Sequence, residues 1–166
     1  MPSIIKFQNA VVNNEKCNND CTGKIEAFFS GGLTPYNYQW SIPGFGNTNI
    51  ADSLCAGLYY VVATDQYGCT STYQTTITTP PLLQANATST DAYCNGACIG
   101  TATLNTTGGT PALSYLWNDP AAQTTQTATQ LCPGWYTCTV TDQNGCKATD
   151  SIEVLFSTFV PPVDAT

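Results

Sequence analysis

Histidine is absent from this chain of 166 residues, and lysine plus arginine number four against eleven acidic residues. Without imidazole no unperturbed side chain titrates near neutral pH, so general acid–base chemistry would fall to paired carboxylates tuned by burial. The same absence removes a common zinc ligand, and no Cys-x2-Cys clamp stands in the sequence. The residues therefore imply no metal, no cofactor and no enzyme activity. A net charge of −7 argues against a nucleic-acid partner or an anionic membrane surface. No apolar run is long enough to cross a bilayer, which excludes direct membrane insertion. A 3.6-residue apolar period is missing throughout, which excludes a helical fold.

Cysteine, by contrast, is plentiful and ordered. Eight of the nine cysteines repeat at an interval of 77 residues: Cys17, Cys21, Cys55 and Cys69 recur as Cys94, Cys98, Cys132 and Cys146. The same offset carries Gly31-Gly32 onto Gly108-Gly109, Tyr38 onto Tyr115, Trp40 onto Trp117 and Tyr59 onto Tyr136. It also carries Asp65 onto Asp142 and Gly68 onto Gly145. Self-similarity of this kind marks two tandem domains, over residues 4–79 and 82–158. Each is too small to rest on its apolar core alone, and four cysteines per unit read as disulfides in an oxidising, extracellular setting. Pro80-Pro81 between the units forms a short, stiff spacer that sets them end to end.

The first residues, Met1-Pro2-Ser3-Ile4-Ile5-Lys6, have neither a basic n-region nor an apolar h-region, so they are not a signal peptide. Two origins fit: a segment whose export signal lies elsewhere, or a protein released by lysis, as virion components are.

Short alternating runs separated by glycine and proline read as strands of a β-sandwich. Ile25, Ala27 and Phe29 share one face, as do Tyr36, Tyr38 and Trp40, and then Tyr59, Val61 and Ala63. Their counterparts are Ala102, Leu104 and Thr106; Leu113, Tyr115 and Trp117; and Tyr136, Cys138 and Val140. A last strand runs from Cys69 to Ile77, and from Cys146 to Leu155. Asp65-Gln66-Tyr67-Gly68 and Asp142-Gln143-Asn144-Gly145 suit type I turns, with the aspartate capping amides and glycine in the left-handed position. That assigns the repeated aspartates to turn-capping rather than to catalysis or calcium.

Trp40 and Trp117 belong to the core, and Cys138 is expected as a buried thiol acting as a small hydrophobe, an intermolecular disulfide being the alternative. Three of the aromatics without a partner at the 77 offset are the candidates for binding: Tyr60 against Thr137, Tyr67 against Asn144, and Trp135 against Leu58. Tyr60 points opposite to Tyr59 and so toward solvent, where it can anchor a protein or a glycan.

Taken together, the pieces resemble the SprB repeat of very large Bacteroidetes surface adhesins. They are Cys17 to Cys21, Gly31-Gly32-Leu33-Thr34-Pro35, Tyr38-Gln39-Trp40, Leu54-Cys55-Ala56-Gly57-Leu58-Tyr59 and Asp65-Gln66-Tyr67-Gly68-Cys69 in the first unit. The second supplies Cys94 to Cys98, Gly108-Gly109-Thr110-Pro111, Tyr115-Leu116-Trp117, Leu131-Cys132-Pro133-Gly134-Trp135-Tyr136 and Asp142-Gln143-Asn144-Gly145-Cys146.

The resemblance implies two Ig-like β-sandwiches used as a building block of an extracellular fibre, with neighbouring repeats or subunits and cell-surface glycans or proteins as partners. It implies no catalytic residue. A virion spike, fibre or decoration protein of a phage infecting such bacteria is the alternative, with a virion-surface location. In an Ig-like sandwich Cys98 and Cys132 stand at strand ends on one side, which pairs Cys98 with Cys132 and Cys21 with Cys55. Cys17–Cys69 and Cys94–Cys146 remain as the other pairs. Asp52-Ser53-Leu54 and Asp150-Ser151-Ile152 resemble O-glycosylation sites of these bacteria, which makes Ser53 and Ser151 candidates. Asn86 and Asn105 match the N-glycosylation pattern more weakly.

Overall fold

The computed structural model describes residues 4–93 and 98–157. It is all-β, and the chain divides into two compact units at Pro80 and Pro81. In unit one the strands are β1 (Lys6–Asn13), β2 (Gly23–Ser30), β3 (Asn37–Trp40), β4 (Ile50–Leu54), β5 (Gly57–Thr64) and β6 (Thr70–Ile77). They form two antiparallel sheets, ordered β1-β2-β4 and β3-β5-β6.

Unit two repeats the plan. Its strands are β7 (Gln84–Thr90), β8 (Ala92–Tyr93), β9 (Gly100–Thr107), β10 (Ser114–Trp117), β11 (Thr127–Leu131), β12 (Gly134–Thr141), β13 (Lys147–Val154) and β14 (Phe156–Ser157). The sheets are β7-β9-β11 and β10-β12-β13, and β14 pairs in parallel with β8.

Alternation along each strand decides what is buried. In unit one Ile25, Ala27, Ala51 and Leu54 face Trp40, Tyr59, Val61 and Ile77 across the sandwich. In unit two Ala102, Leu104, Ala128 and Leu131 face Trp117, Cys138, Val140 and Val154. Ile25 and Ala27 become Ala102 and Leu104, so the large and small side chains trade places and the layer keeps its volume.

Two features of the repeated motif acquire a reason here. Cys21 is bonded to Cys55 and Cys98 to Cys132, each closing the same separation of 34 residues. The phenol of Tyr59 donates to the Cys55 carbonyl at 2.8 Å, and that of Tyr136 to the Cys132 carbonyl at 2.9 Å. The Cys-x-Gly-x-Tyr spacing thus holds each disulfide against the strand that follows it.

One expected pair does not form. Cys69 carries a free, exposed thiol. It immediately precedes β6, whereas the segment after Cys17 is tied to the far end of that strand: the Asn18 amide group donates to Pro80 O, and the Asn19 N–H donates to Thr79 Oγ1. An eight-residue strand spans roughly 25 Å, and a disulfide needs Cα atoms within about 7 Å. The pairing of Cys17 with Cys69 is corrected accordingly. Cys17 and Cys146 each stand in a disulfide, and Cys94 lies outside the described residues.

Among the described residues Cys138 is the other free thiol, wholly buried at the position of Val61. Burial pushes its thiol above the ordinary range, with the Leu116 amide pulling weakly the other way. In the native chain, alkylation followed by peptide mapping is expected to label Cys69 at once, and Cys138 only after unfolding. Prompt native labelling of Cys138 would contradict its place in the core.

Candidate functional site

Each unit has one corner where two loops are held by a single carboxyl group. Asp65 and Asp142 are both 6% exposed. One oxygen of Asp65 accepts from the amides of Tyr67 and Cys69 at 2.9 Å, and the other accepts from Leu33 at 3.3 Å. Asp142 does the same with Asn144 and Cys146 at 2.9 Å and with Thr110 at 2.9 Å. The turn glycines Gly68 and Gly145 have φ of 83° and 86°, where a side chain would be strained. On the facing loop a Cβ on Gly32 would come within 2.5 Å of the Asp65 carboxylate. The repeated Gly-Gly and Asp-x-x-Gly pieces are therefore two halves of one clamp. With their oxygens engaged by amides, the aspartates act as structural caps.

Burial pushes the Asp142 carboxyl up, but the amides of Thr110, Cys146, Asn144 and Gly145 outweigh it and hold the group below the usual range. Asp119 behaves likewise: burial raises it, while the Gln123 backbone and side-chain amides and the Ala121 amide lower it further. Unfolding returns both to about 3.9. A depressed folded value stabilises fully above that figure and is lost as pH falls through the folded value. Unit two is accordingly expected to lose stability on acidification below about pH 4. Asp142→Ala, which orphans the amides, should remove about 2–4 kcal/mol and flatten that acid limb in urea titrations.

The exposed residues form a different set. Tyr60 is 46% exposed, Tyr67 69% and Trp135 67%. Tyr60 stands on the outward face of β5 opposite Gln74, and Trp135 on the outward face of β12 opposite Glu153. Tyr67 occupies the tip of the β5–β6 turn. Beside Trp135 the same face carries Thr137 and Ser151, whose hydroxyls meet at 2.8 Å.

Sequence reasoning passed over the apolar neighbours on these faces, Leu58 at 61% and Leu116 at 54% exposure. Both fall on the polar phase of an alternating strand, the signal that would have placed them outward. Ser53 is exposed on a bulge of β4 with φ of 55°. Ser151 lies mid-strand on β13, its hydroxyl shared with Thr137. No helix among the described residues is long and apolar enough to cross a membrane.

Comparison with solved structures finds similar multi-domain chains. A structure reporting the basis of Dscam isoform specificity is 15% identical with a TM-score of 0.42, over 95% of this chain and 47% of that one. The N-terminal eight Ig domains of Down Syndrome Cell Adhesion Molecule are 11% identical with a TM-score of 0.45, over 95% of this chain and 25% of that one. The C-terminal 282-residue fragment of intimin, solved in complex with the intimin-binding domain of the translocated intimin receptor, is 11% identical with a TM-score of 0.47. That match covers 90% of this chain and 64% of the other. This chain thus spans less than two thirds of each, and at these identities nothing about binding passes from them to it. No curated protein matches the chain. The SprB repeat model matches residues 9–45 and again 86–122. The two matches are offset by the same 77 residues that relate the cysteines, and the chain carries two tandem SprB repeats.

Proposed function

We propose that the chain is a non-catalytic, extracellular adhesive and structural module, a segment of a bacterial surface adhesin or fibre whose contacts run through Tyr60, Tyr67 and Trp135. The observation that carries the reading is the division of labour between repeated and unrepeated residues. Trp40, Asp65 and the Cys21–Cys55 bond, with their counterparts Trp117, Asp142 and Cys98–Cys132, are shared by both units and are buried in the sandwich, engaged as caps or closed in disulfides, which are scaffold duties. Among the large aromatics that differ between the units, Phe7, Phe29 and Tyr73 pack on one another, whereas Tyr60, Tyr67 and Trp135 stand in solvent. An exposed ring with hydroxyl and amide groups beside it offers an apolar face and polar donors together, the combination that suits glycans and protein hot spots. SprB repeats in both units and an acidic surface fit a module that stays soluble while it is displayed. Ser53 and Ser151, both exposed, are the positions for O-glycans in that setting.

The triple variant Tyr60→Ala, Tyr67→Ala, Trp135→Ala tests it. Attachment of the chain to whole cells or a glycan array is expected to fall at least about tenfold, because hot-spot aromatics carry 2 kcal/mol or more each. Thermal unfolding should move by only a degree or two, since none of the three is buried. Undiminished attachment in a folded triple variant would place the contact elsewhere.

A further inference from the structure

Glu15 is buried, 5% exposed, just after β1 and beside the Cys21–Cys55 bond. Its Oε1 accepts from the amides of Cys21 at 3.2 Å and Ala56 at 2.9 Å, which places the carboxyl group between the two ends of the disulfide. Its Oε2 is buried with no hydrogen-bond partner. A carboxyl oxygen removed from water without a partner is costly enough to need an explanation.

The fold does not supply one. At the 77 offset stands Ala92, 1% exposed. Its N–H donates to Leu155 O at 3.0 Å, as the Glu15 N–H donates to Thr78 O at 3.1 Å. The backbone position is thus the same in both units, and an alanine fills it. What distinguishes Glu15 is its surroundings: a carboxylate oxygen and the sulfurs of Cys21 and Cys55 all lie within 4.8 Å of one another.

We propose that unit one holds a thiol-gated cation site, in which reduction of Cys21–Cys55 frees two sulfurs to bind a divalent cation of the zinc type together with Glu15 Oε2. Two thiolates and one carboxylate are a donor set zinc accepts in tetrahedral geometry, with water in the fourth position. Reduction by a phosphine breaks the S–S bond, converts phosphine and one water to phosphine oxide, and leaves two thiols. Cation binding then releases their two protons. Cys55 is exposed and Cys21 half-buried, so reductant and ion have a way in. In unit two Ala92 takes the place of Glu15, and among the described residues no carboxylate oxygen, that of nearby Asp119 included, lies within 4.8 Å of both sulfurs of Cys98–Cys132. The cation would hold the unit-one thiols apart from other cysteines before oxidation and would have to leave before the bond closes.

The test uses the full chain under native conditions, reduced with a phosphine in the presence of Co2+, whose thiolate charge-transfer absorption reports sulfur ligation. Zn2+ competition then gives the affinity. Glu15→Gln keeps an oxygen for the Cys21 and Ala56 amides but loses the anionic donor. It should weaken the tightest site at least about tenfold, the scale seen for losing even an outer-shell partner. Cys21→Ser should abolish the site, and the oxidised chain should show no band at this affinity. Equal affinity in Glu15→Gln, a tightest site indifferent to Cys21→Ser, or loss of β structure in unit one on reduction with Co2+ present would each overturn the proposal.

Discussion

Replacing both Cys98 and Cys132 with alanine is expected to lower the unfolding midpoint of unit two by about 15–30 °C. The bond closes a separation of 34 residues, and chain-entropy reasoning sets its contribution at roughly 4 kcal/mol. A unit of this size buries too small a fraction of its surface to absorb such a loss easily. The local contacts work in the same direction. Tyr136 anchors to the Cys132 carbonyl, and β9 begins just after Cys98, so the bond fixes where β9 and β12 start. Calorimetry of the double variant, with Cys21→Ala plus Cys55→Ala as the matching change in unit one, checks both halves. A shift of only a few degrees would mean that the sandwich closes without its staple.

Trp117→Ala is expected to destabilise unit two by about 3–5 kcal/mol, the range for truncating a buried tryptophan. The ring is 1% exposed, and its indole N–H donates to Thr125 O at 3.0 Å in the loop leading to β11. Truncation leaves a cavity against Leu104, Leu131 and Val140 and strands a carbonyl that the fold has removed from water. Trp117→Phe separates the two effects, because it refills most of the space and loses only the hydrogen bond, at about 1 kcal/mol. Trp40→Ala should be milder. Trp40 is 7% exposed and meets Phe45 edge to face at 6.3 Å, so the surrounding loop can settle into part of the space. Urea titrations of the three variants give the ordering.

The strands legible in the sequence were those with a strict inward phase. Ile25 and Ala27, Tyr38 and Trp40, Tyr59, Val61 and Ala63, and the partners of these residues alternate cleanly, and β2, β3, β5 and their repeats follow from that, while the Asp-x-x-Gly turns announced β6 and β13. β1 and β4, with β7 and β11, were not legible, for two physical reasons. β1 is an edge strand with no fully buried side chain and a register shift between Phe7 and Asn9, so no inward phase marks it. β4 buries Ala51 and Leu54 three residues apart, because the bulge at Ser53 throws the alternation out of step. The same bulge recurs at Gln130 with φ of 56°.

The corner clamp was half legible: Asp-x-x-Gly announces a turn, but nothing local says that the second carboxylate oxygen reaches the Gly-Gly loop 32 residues away. Counting cysteines in fours led to Cys17–Cys69, because parity carries no information about the length of β6. Glu15 escaped notice since a lone acidic residue is ordinarily a solvated one. Its mismatch with Ala92, in a chain otherwise so regular, was the available signal. Tyr60, Tyr67 and Trp135 were legible by that comparison of unlike positions, which would also have marked the exposed Phe28 and Phe156.

The position of each disulfide also governs how a unit behaves under tension. Residues between Cys21 and Cys55 include all of β2, β3 and β4, and those between Cys98 and Cys132 all of β9, β10 and β11. A chain pulled from its ends can pay out only what lies outside these loops. Each bond therefore withholds about 110 Å of contour length, taking roughly 3.3 Å per extended residue. A unit opened under tension retains three strands within a covalent ring, half of those in unit one and three of eight in unit two. Recoil then begins from a tethered remnant rather than from a bare thread.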